Sequence, residues 1–446
     1  MRPRYERPVI VKHALGGHDK FGARAALRIV DRFEGVPIAD LVAAYGSPLF
    51  VFSERILRQR HRDLSEEMSR RFADFAIAWS YKTNYLDAIC RVFHQEGSLA
   101  EVVSGMEMHK ALRAGVPGSD ILFNGPGKTE AEVEEALRED VKIHIDHLDE
   151  LALVERVAER LGLYPKVGIR LNIKQLPVEQ WDRFGFNLEN GAAMLAVRRI
   201  GRGGRLELDT IHCHIGTFIL DPQAYRLAAL ALGRFIVELD REHGIRIATL
   251  DLGGGFASHN TLKLQYLPGE EITPSFGQYV EAIAAGLDDA FGGRTPPRIV
   301  LETGRAMVDD AAILITSVVG NKRLSDGRRA VIVDAGVNIL PTAWWYRHDV
   351  FPAQETLGHP EPSVIFGPLC MNIDVIRDRL LFPPVRAGDQ LVIGHVGAYN
   401  VTQWMQFITL RPNVAMVSES GEHGLVRRAE TLESLLAQEE MPRWLT

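Results

Sequence analysis

Cysteine is scarce in this chain. Cys90, Cys213 and Cys370 are the only three among 446 residues, and no C-x-x-C pair occurs. A disulfide framework is thereby excluded, and a reducing, cytoplasmic setting is the expectation. A basic excess is also missing: the formal net charge of -7 offers nothing to a nucleic-acid backbone or an anionic membrane. Long apolar runs are absent. The most apolar helical stretch, near Leu227–Leu239, is interrupted by Arg234 and Glu238 and is too short to span a bilayer. The start, Met1-Arg-Pro-Arg-Tyr-Glu-Arg7, is charged and has no apolar segment behind it, so no signal peptide is read there. No internal repeat or low-complexity segment stands out.

What is present is the mixture of a globular protein, with 24% charged and 46% hydrophobic residues. The length exceeds one ordinary core and suits about two domains. After an N-terminal stretch with a helix near Ile38–Tyr45, eight short apolar strands follow, most of them separated by helical patterns. They are Phe75–Tyr81, Ser98–Val103, Asp120–Phe123, Lys142–Ile145, Lys166–Leu171, Leu208–His214, Ile247–Leu252 and Arg298–Glu302. Helices are expected over Glu107–Ala114, Ala131–Leu137 and Leu148–Leu161, with Gly115 and Gly162 as stops. This alternation predicts an α/β fold, a (β/α)8 TIM barrel.

Near Asp310 the pattern changes to β-branched strands: Ala312–Val319, Arg329–Val333, Ser363–Phe366, Gln390–Ile393 and Phe407–Leu410. Turn signals lie at Ser325-Asp-Gly327 and Ala387-Gly-Asp389, and a helix over Ala429–Gln438 ends the chain. The expected division is an N-terminal extension over 1–45 partly packed with the β domain, a barrel over 46–309 and a mainly β domain over 310–446.

Functional side chains of such barrels gather where strands end. Here the ends carry Lys82, Ser104, Asn124, Asp146, Asn172, His214, Gly253-Gly-Gly255 and Glu302-Thr-Gly-Arg305. A lysine closing an apolar strand is either snorkelling to water or is a working amine. Burial would lower its pKa and let it form a Schiff base with an aldehyde cofactor. Three glycines after a strand suit the close approach of a phosphate, or simply a flexible turn. Arg305 is placed to add a charge-assisted contact to that phosphate, or to make a surface salt bridge. Glu302 could hold a proton on a ring nitrogen, or pair with Arg305 or Arg170.

His212 and His214 share one strand face, with Cys213 on the other. A zinc site lacks a third ligand nearby, so no metal is expected. His214 is better read as lying against a planar ring with Thr217 at its phosphate, and His212 as a core histidine. Gly125-Pro-Gly-Lys-Thr129 is not a nucleotide loop, because Leu122 stands where that motif needs glycine. Gly253–Gly255 likewise lacks the spacing of a dinucleotide fingerprint.

Taken together these motifs resemble the fold-type III pyridoxal-phosphate decarboxylases, which include diaminopimelate, ornithine and arginine decarboxylases with an alanine-racemase-like barrel. Tyr81-Lys82-Thr83-Asn84 resembles the Schiff-base lysine motif. Glu101-Val-Val-Ser-Gly105 resembles the second-strand motif, with Glu101 for the usual Asp. His214-Ile-Gly-Thr217, Gly253-Gly-Gly255 and Glu302-Thr-Gly-Arg305 match the ring-stacking, phosphate and ring-nitrogen motifs, with Thr303 for the usual proline. Phe366-Gly-Pro-Leu-Cys370-Met-Asn-Ile-Asp374 resembles the segment with a catalytic cysteine, and Gly397-Ala-Tyr399-Asn400 the one with a cofactor-contacting tyrosine.

The resemblance implies pyridoxal 5'-phosphate bound by Lys82, Ser104, His214, Thr217, Gly253, Gly254, Gly255, Glu302, Gly304, Arg305 and Tyr399. It implies Lys82, Cys370 and Glu302 as catalytic residues, and a homodimer in which Cys370 completes the partner's site. The implied reaction is loss of CO2 from an amino acid, the electrons draining into a ring kept protonated by Glu302. Cys370 would then return a proton to Cα.

Two departures bear on substrate. Met371 follows the cysteine where an acidic residue is usual, and Leu340 replaces the arginine that grips the distal carboxylate in diaminopimelate enzymes. Met371, Trp344, Tyr346 and Asp374 are the expected substrate contacts, around a modified or conjugated amino acid, with an aromatic packing patch as the other reading of the tryptophans. Diaminopimelate, as in lysine biosynthesis, is the alternative. A racemase on the same scaffold is disfavoured by Glu302, since racemases pair the ring nitrogen with arginine. A non-catalytic homologue is disfavoured by Lys82, His214 and Cys370.

Overall fold

The computed structural model describes residues 28–445, so most of the expected N-terminal extension lies outside the described residues. Eight parallel strands close on themselves. Phe75–Ser80, Leu99–Val102, Ile121–Phe123, Lys142–Ile145, Lys166–Asn172, Glu207–His212, Thr249–Asp251 and Arg298–Leu301 pair in that order, and Arg298–Leu301 returns to Phe75–Ser80. These are the eight strands expected from sequence, displaced by at most two residues at either end. Alternating helices cover the outside and bury apolar faces, such as Leu151, Val154, Val157 and Ala158 of Leu148–Leu161. That helix stops at Gly162, whose φ of 70° lies in the left-handed region.

The second body is a mainly antiparallel sheet. Its long central strand, Ala312–Arg323, pairs with Arg329–Val333, Gln390–Gly394 and Leu49–Ser53. The last of these precedes the barrel in sequence, within the span expected to be barrel, yet its hydrogen bonds go to Ala312–Arg323 and Asn413–Val417. Leu49, Val51, Ile313, Ile315 and Val417 form a small core with Ile38 and Leu41 of the helix Ile38–Tyr45. The strand expected over Phe407–Leu410 is not formed. Ile408 has a φ of 61°, Phe407 and Thr409 make one isolated bridge, and the strand is Asn413–Val417. Val375–Phe382 is a further strand that the sequence pattern did not reveal.

Two adjacent aspartates fasten the bodies together. Asp309 is buried and accepts hydrogen bonds from Ser258 Oγ at 2.5 Å, Asn260 Nδ2 at 2.7 Å and the Ala398 N–H at 3.2 Å. Asp310 faces His259 Nδ1 at 2.6 Å and His395 Nδ1 at 2.8 Å. Burial alone would lower the His395 pKa, but its bond to Asp310 outweighs that and raises it to about 9. Because the folded value exceeds the ordinary 6.5, this contribution is complete below pH 6.5 and is lost as pH rises through 9. Unfolding free energy is therefore expected to fall by about 3 kcal/mol across that window. His395→Gln should flatten this part of the profile, measured by urea denaturation at a series of pH values.

Lys128, excluded as a nucleotide-loop lysine, is a buried strut. Its Nζ donates to the carbonyls of Gly125 at 2.6 Å and His144 at 3.1 Å and to Glu150 at 2.6 Å. Removing one member of such a pair strands the other charge. Lys128→Met should lower the unfolding free energy by about 3–5 kcal/mol, read from denaturant midpoints.

Candidate active site at the mouth of the barrel

A cavity of about 670 Å³ opens at the carboxyl ends of the barrel strands. Lys82 enters it from the turn after Phe75–Ser80, and this turn is over-determined. Tyr81 and Asn84 are fully buried, the Thr83 N–H bonds to the Ser80 carbonyl at 3.0 Å, and the Trp79 indole reaches the Asn84 carbonyl at 3.2 Å. Thr83 and Asn84 also grip the second body. The Tyr399 N–H bonds to the Thr83 carbonyl at 2.9 Å, and Asn84 Nδ2 donates to the Gly397 carbonyl at 3.1 Å. Tyr399, at a φ of 60°, is thereby turned into the cavity.

The Lys82 amine lies 2.5 Å from Glu101, whose side chain has no exposure. Asn124 Nδ2 donates to Glu101 at 3.0 Å and to Glu302 at 2.6 Å, joining the two carboxylates. Burial lowers the lysine pKa, as expected from sequence. The charges of Glu101 and Glu302, with a smaller effect of Tyr399, outweigh it and hold the amine above its ordinary range. The expectation of a depressed amine is therefore corrected: the lysine is a paired ammonium. Glu302 is buried, and His212 Nε2 is 3.4 Å away. Neither Arg305 nor Arg170 pairs with Glu302; Arg170 lies 3.8 Å from Asp146 and stacks on Phe184.

His214 lines the cavity and accepts the Gly254 N–H on Nδ1 at 3.0 Å. Burial, then the charges of Arg170 and Lys82, keeps its pKa well below the imidazole range, so the ring is neutral. The Gly253 N–H bonds to Asp251 at 2.9 Å. Two amides of the glycine triplet thus have partners inside the protein, and Gly253 does not line the cavity. A Cβ at Gly253 would strike His214, and one at Gly254 would strike the Glu302 carbonyl, so the glycines also permit neighbouring strand ends to meet. Gly255, Thr217, Gly304 and Arg305 all line the cavity. Arg305 lies over the rings of Tyr399 at 4.6 Å and Tyr346 at 5.4 Å, and its buried Nε and Nη1 have no hydrogen-bond partner. A guanidinium fixed by aromatic faces with donors to spare, beside glycine backbone and an amine, fits a phosphorylated aldehyde cofactor.

Other expected site residues lie elsewhere. Ser104 caps the helix Gly105–Arg113, accepting the Glu107 N–H, and is not in the cavity wall. Asp374 is buried and accepts the N–H groups of Val337 at 2.8 Å and Leu369 at 2.7 Å, so it shapes its own loop. Trp344 packs against the core and Trp345 takes the cavity position instead. Tyr346 lines the cavity as expected. Cys370 is exposed and Met371 is packed on the core, and neither reaches the cavity of its own chain. Trp181, Phe184, Phe218, Leu262 and Gln403 also line it, and the sequence motifs assign them no role. The aromatic run Trp181-Asp-Arg-Phe184, soon after the strand end at Asn172, was the available signal.

His212 is buried, as expected of a core histidine. The further groups that the sequence did not bring near it, His144, Asp251 and Glu302, converge with it in the barrel interior.

Comparison with known proteins accords with this chemistry. Residues 55–309 match the family described as "Pyridoxal-dependent decarboxylase, pyridoxal binding domain". The chain belongs to that family and is a pyridoxal-phosphate-dependent amino-acid decarboxylase of fold-type III. It is similar to the diaminopimelate decarboxylase of Zymomonas mobilis, 29% identical over 92% of this chain and 97% of that one. Similarity to the diaminopimelate decarboxylase of Methanothermobacter thermautotrophicus is 30% identity over 92% and 95%. A crystal structure of the M. jannaschii diaminopimelate decarboxylase, in complex with L-lysine, superposes with a TM-score of 0.86 at 27% identity, over 94% of this chain and 99% of that one. No helix among the described residues is long and apolar enough to cross a membrane.

Arg305→Ala removes the guanidinium without touching the Lys82 turn. Loss of a charge-assisted contact should weaken retention of pyridoxal phosphate about 10- to 100-fold, measured by equilibrium dialysis.

Proposed function

We propose that the chain removes the α-carboxylate of an amino acid related to diaminopimelate, whose distal end is held by aromatic rings rather than by a charge pair. The observation that carries the catalytic part is the Lys82 ammonium, paired with buried Glu101, which Asn124 links to buried Glu302, in the same cavity as the unpaired Arg305 donors. Lys82 would hold the aldehyde end of the cofactor, and Arg305, Thr217 and Gly255 its phosphate. Neutral His214 would lie against the ring, and Glu302, steadied by Asn124, would keep the proton on the ring nitrogen. Pyridoxal phosphate, once bound, supplies a ring that accepts the electron pair left when CO2 departs. Tyr399 and the aromatic wall would exclude water from that carbanion.

Cys370 is exposed and outside its own cavity, which suits delivery to the site of a second copy as proton donor to Cα. The distal reading rests on charge. Leu340 is fully buried, Met371 is apolar, and Trp181, Phe184, Phe218, Leu262, Trp345 and Tyr346 line the cavity. Diaminopimelate itself is the second reading, favoured by relatives of that name that match nearly end to end.

The test is CO2 release by the holoenzyme from diaminopimelate, lysine, ornithine, arginine and N-acylated or aryl-substituted relatives. The proposal expects a best substrate with a neutral distal group, exceeding diaminopimelate in kcat/KM by about tenfold, or 1.4 kcal/mol. Diaminopimelate as the best substrate would establish the second reading. Release from none would remove both. Lys82→Ala should lose CO2 release and the visible absorbance of bound cofactor together.

A further inference from the structure

Below the cavity, in the barrel interior, Glu302 meets a second carboxylate, Asp251, which the chemistry above does not use. Asp251 ends the strand Thr249–Asp251, and Glu302 follows the neighbouring parallel strand Arg298–Leu301. The Glu302 N–H bonds to the Gly253 carbonyl at 2.8 Å, which locks these strand ends together. Asp251 has no exposure and Glu302 only 4%. Asp251 Oδ1 accepts the Gly253 N–H, while its Oδ2 is buried with no hydrogen-bond partner. One oxygen of each carboxylate lies within 4.8 Å of the other and of a ring nitrogen of His144 and of His212. Among the described residues no lysine or arginine forms a salt bridge with either.

Two carboxylates so close, away from water, do not both ionise. The donors decide which keeps the charge. Glu302 accepts the Asn124 N–H and faces His212, whereas Asp251 has a single backbone donor. We infer that Asp251 is a positioning residue: it stands as a neutral carboxylic acid and turns its O–H toward Glu302, leaving Glu302 the anion of the pair. This rests on the reading that Glu302 meets the cofactor ring, and it gives that carboxylate a second donor beside Asn124. The groups facing the pair agree. His212 and His144, on the strands Glu207–His212 and Lys142–Ile145, are held well below the imidazole range by burial first and so are neutral. Glu101 and Lys82 neutralise each other at 2.5 Å, and Arg170 lies by Asp146. Burial first, then the charge of Glu302, raises the Asp251 carboxyl well above its usual range.

The test is the infrared difference spectrum of the holoenzyme near neutral pH, wild type minus Asp251→Asn. A carbonyl band of a protonated carboxylic acid is expected from Asp251. Asparagine keeps the acceptor for Gly253 and offers an N–H toward Glu302, so kcat should stay within about threefold of wild type. Asp251→Leu, with no donor, should lower kcat about 10- to 100-fold with KM little changed and the pH optimum displaced. A carboxylate band in place of the acid band overturns the inference, as does equal damage from Asn and Leu. Stoichiometric divalent metal in the purified protein would overturn it too, because a cation would hold both groups ionised. The band is read without turnover, so an enzyme that releases CO2 from no amino acid still reveals whether Asp251 carries its proton.

Discussion

The site depends on one buried electrostatic arrangement: the Lys82 ammonium against Glu101, with Asn124 bridging from Glu101 to Glu302. A carboxylate with no exposure is tolerated inside a barrel only when its charge and lone pairs are met. Glu101 is met by the lysine and the amide together. The constraint works in both directions. The carboxylate fixes where the amine waits, and the amine makes it possible to keep a fully buried acid at the cavity. An amine paired in this way is not yet a nucleophile. Its partner is also the nearest base, so the proton that must leave Lys82 has an acceptor at hydrogen-bond distance.

The second body holds this arrangement from above. Tyr399 belongs to the β-rich part of the chain, yet its backbone is hydrogen-bonded to Thr83, one residue from the lysine. Arg305 stacks on Tyr399 and Tyr346, so the group suited to a phosphate is oriented by side chains of the other body. Asp309 and Asp310, where the barrel ends, take hydrogen bonds from barrel loops and from the segment His395–Ala398. The barrel supplies the charges, and the β-rich body fixes the mouth across which they act.

Much of this was legible in the sequence because strand ends are local. An apolar run that stops at a lysine, a histidine, a glycine triplet or a glutamate can be read residue by residue, and the eight barrel strands followed from helix-strand alternation. What escaped was non-local. Leu49–Ser53 is an apolar run like any other, and only its pairing with Ala312–Arg323, more than two hundred and fifty residues away, places it in the second sheet. Ser104 and Asp374 have site-like chemistry, but nearby backbone N–H groups use it. Trp344 and Trp345 are adjacent, and a short 3-10 turn decides which faces the cavity. The pKa of Lys82 was misread because burial is visible in sequence, while the two carboxylates opposing it come from other strands.

The central claim is that this amine, and no other, carries the cofactor. The direct measurement is borohydride reduction of the holoenzyme followed by proteolysis and mass mapping of the pyridoxyl group. The account predicts one reduced adduct, on Lys82, in the peptide containing Tyr81-Lys82-Thr83-Asn84. An adduct on Lys128 or another lysine, or none on Lys82 while the protein still binds pyridoxal phosphate and releases CO2, would contradict it.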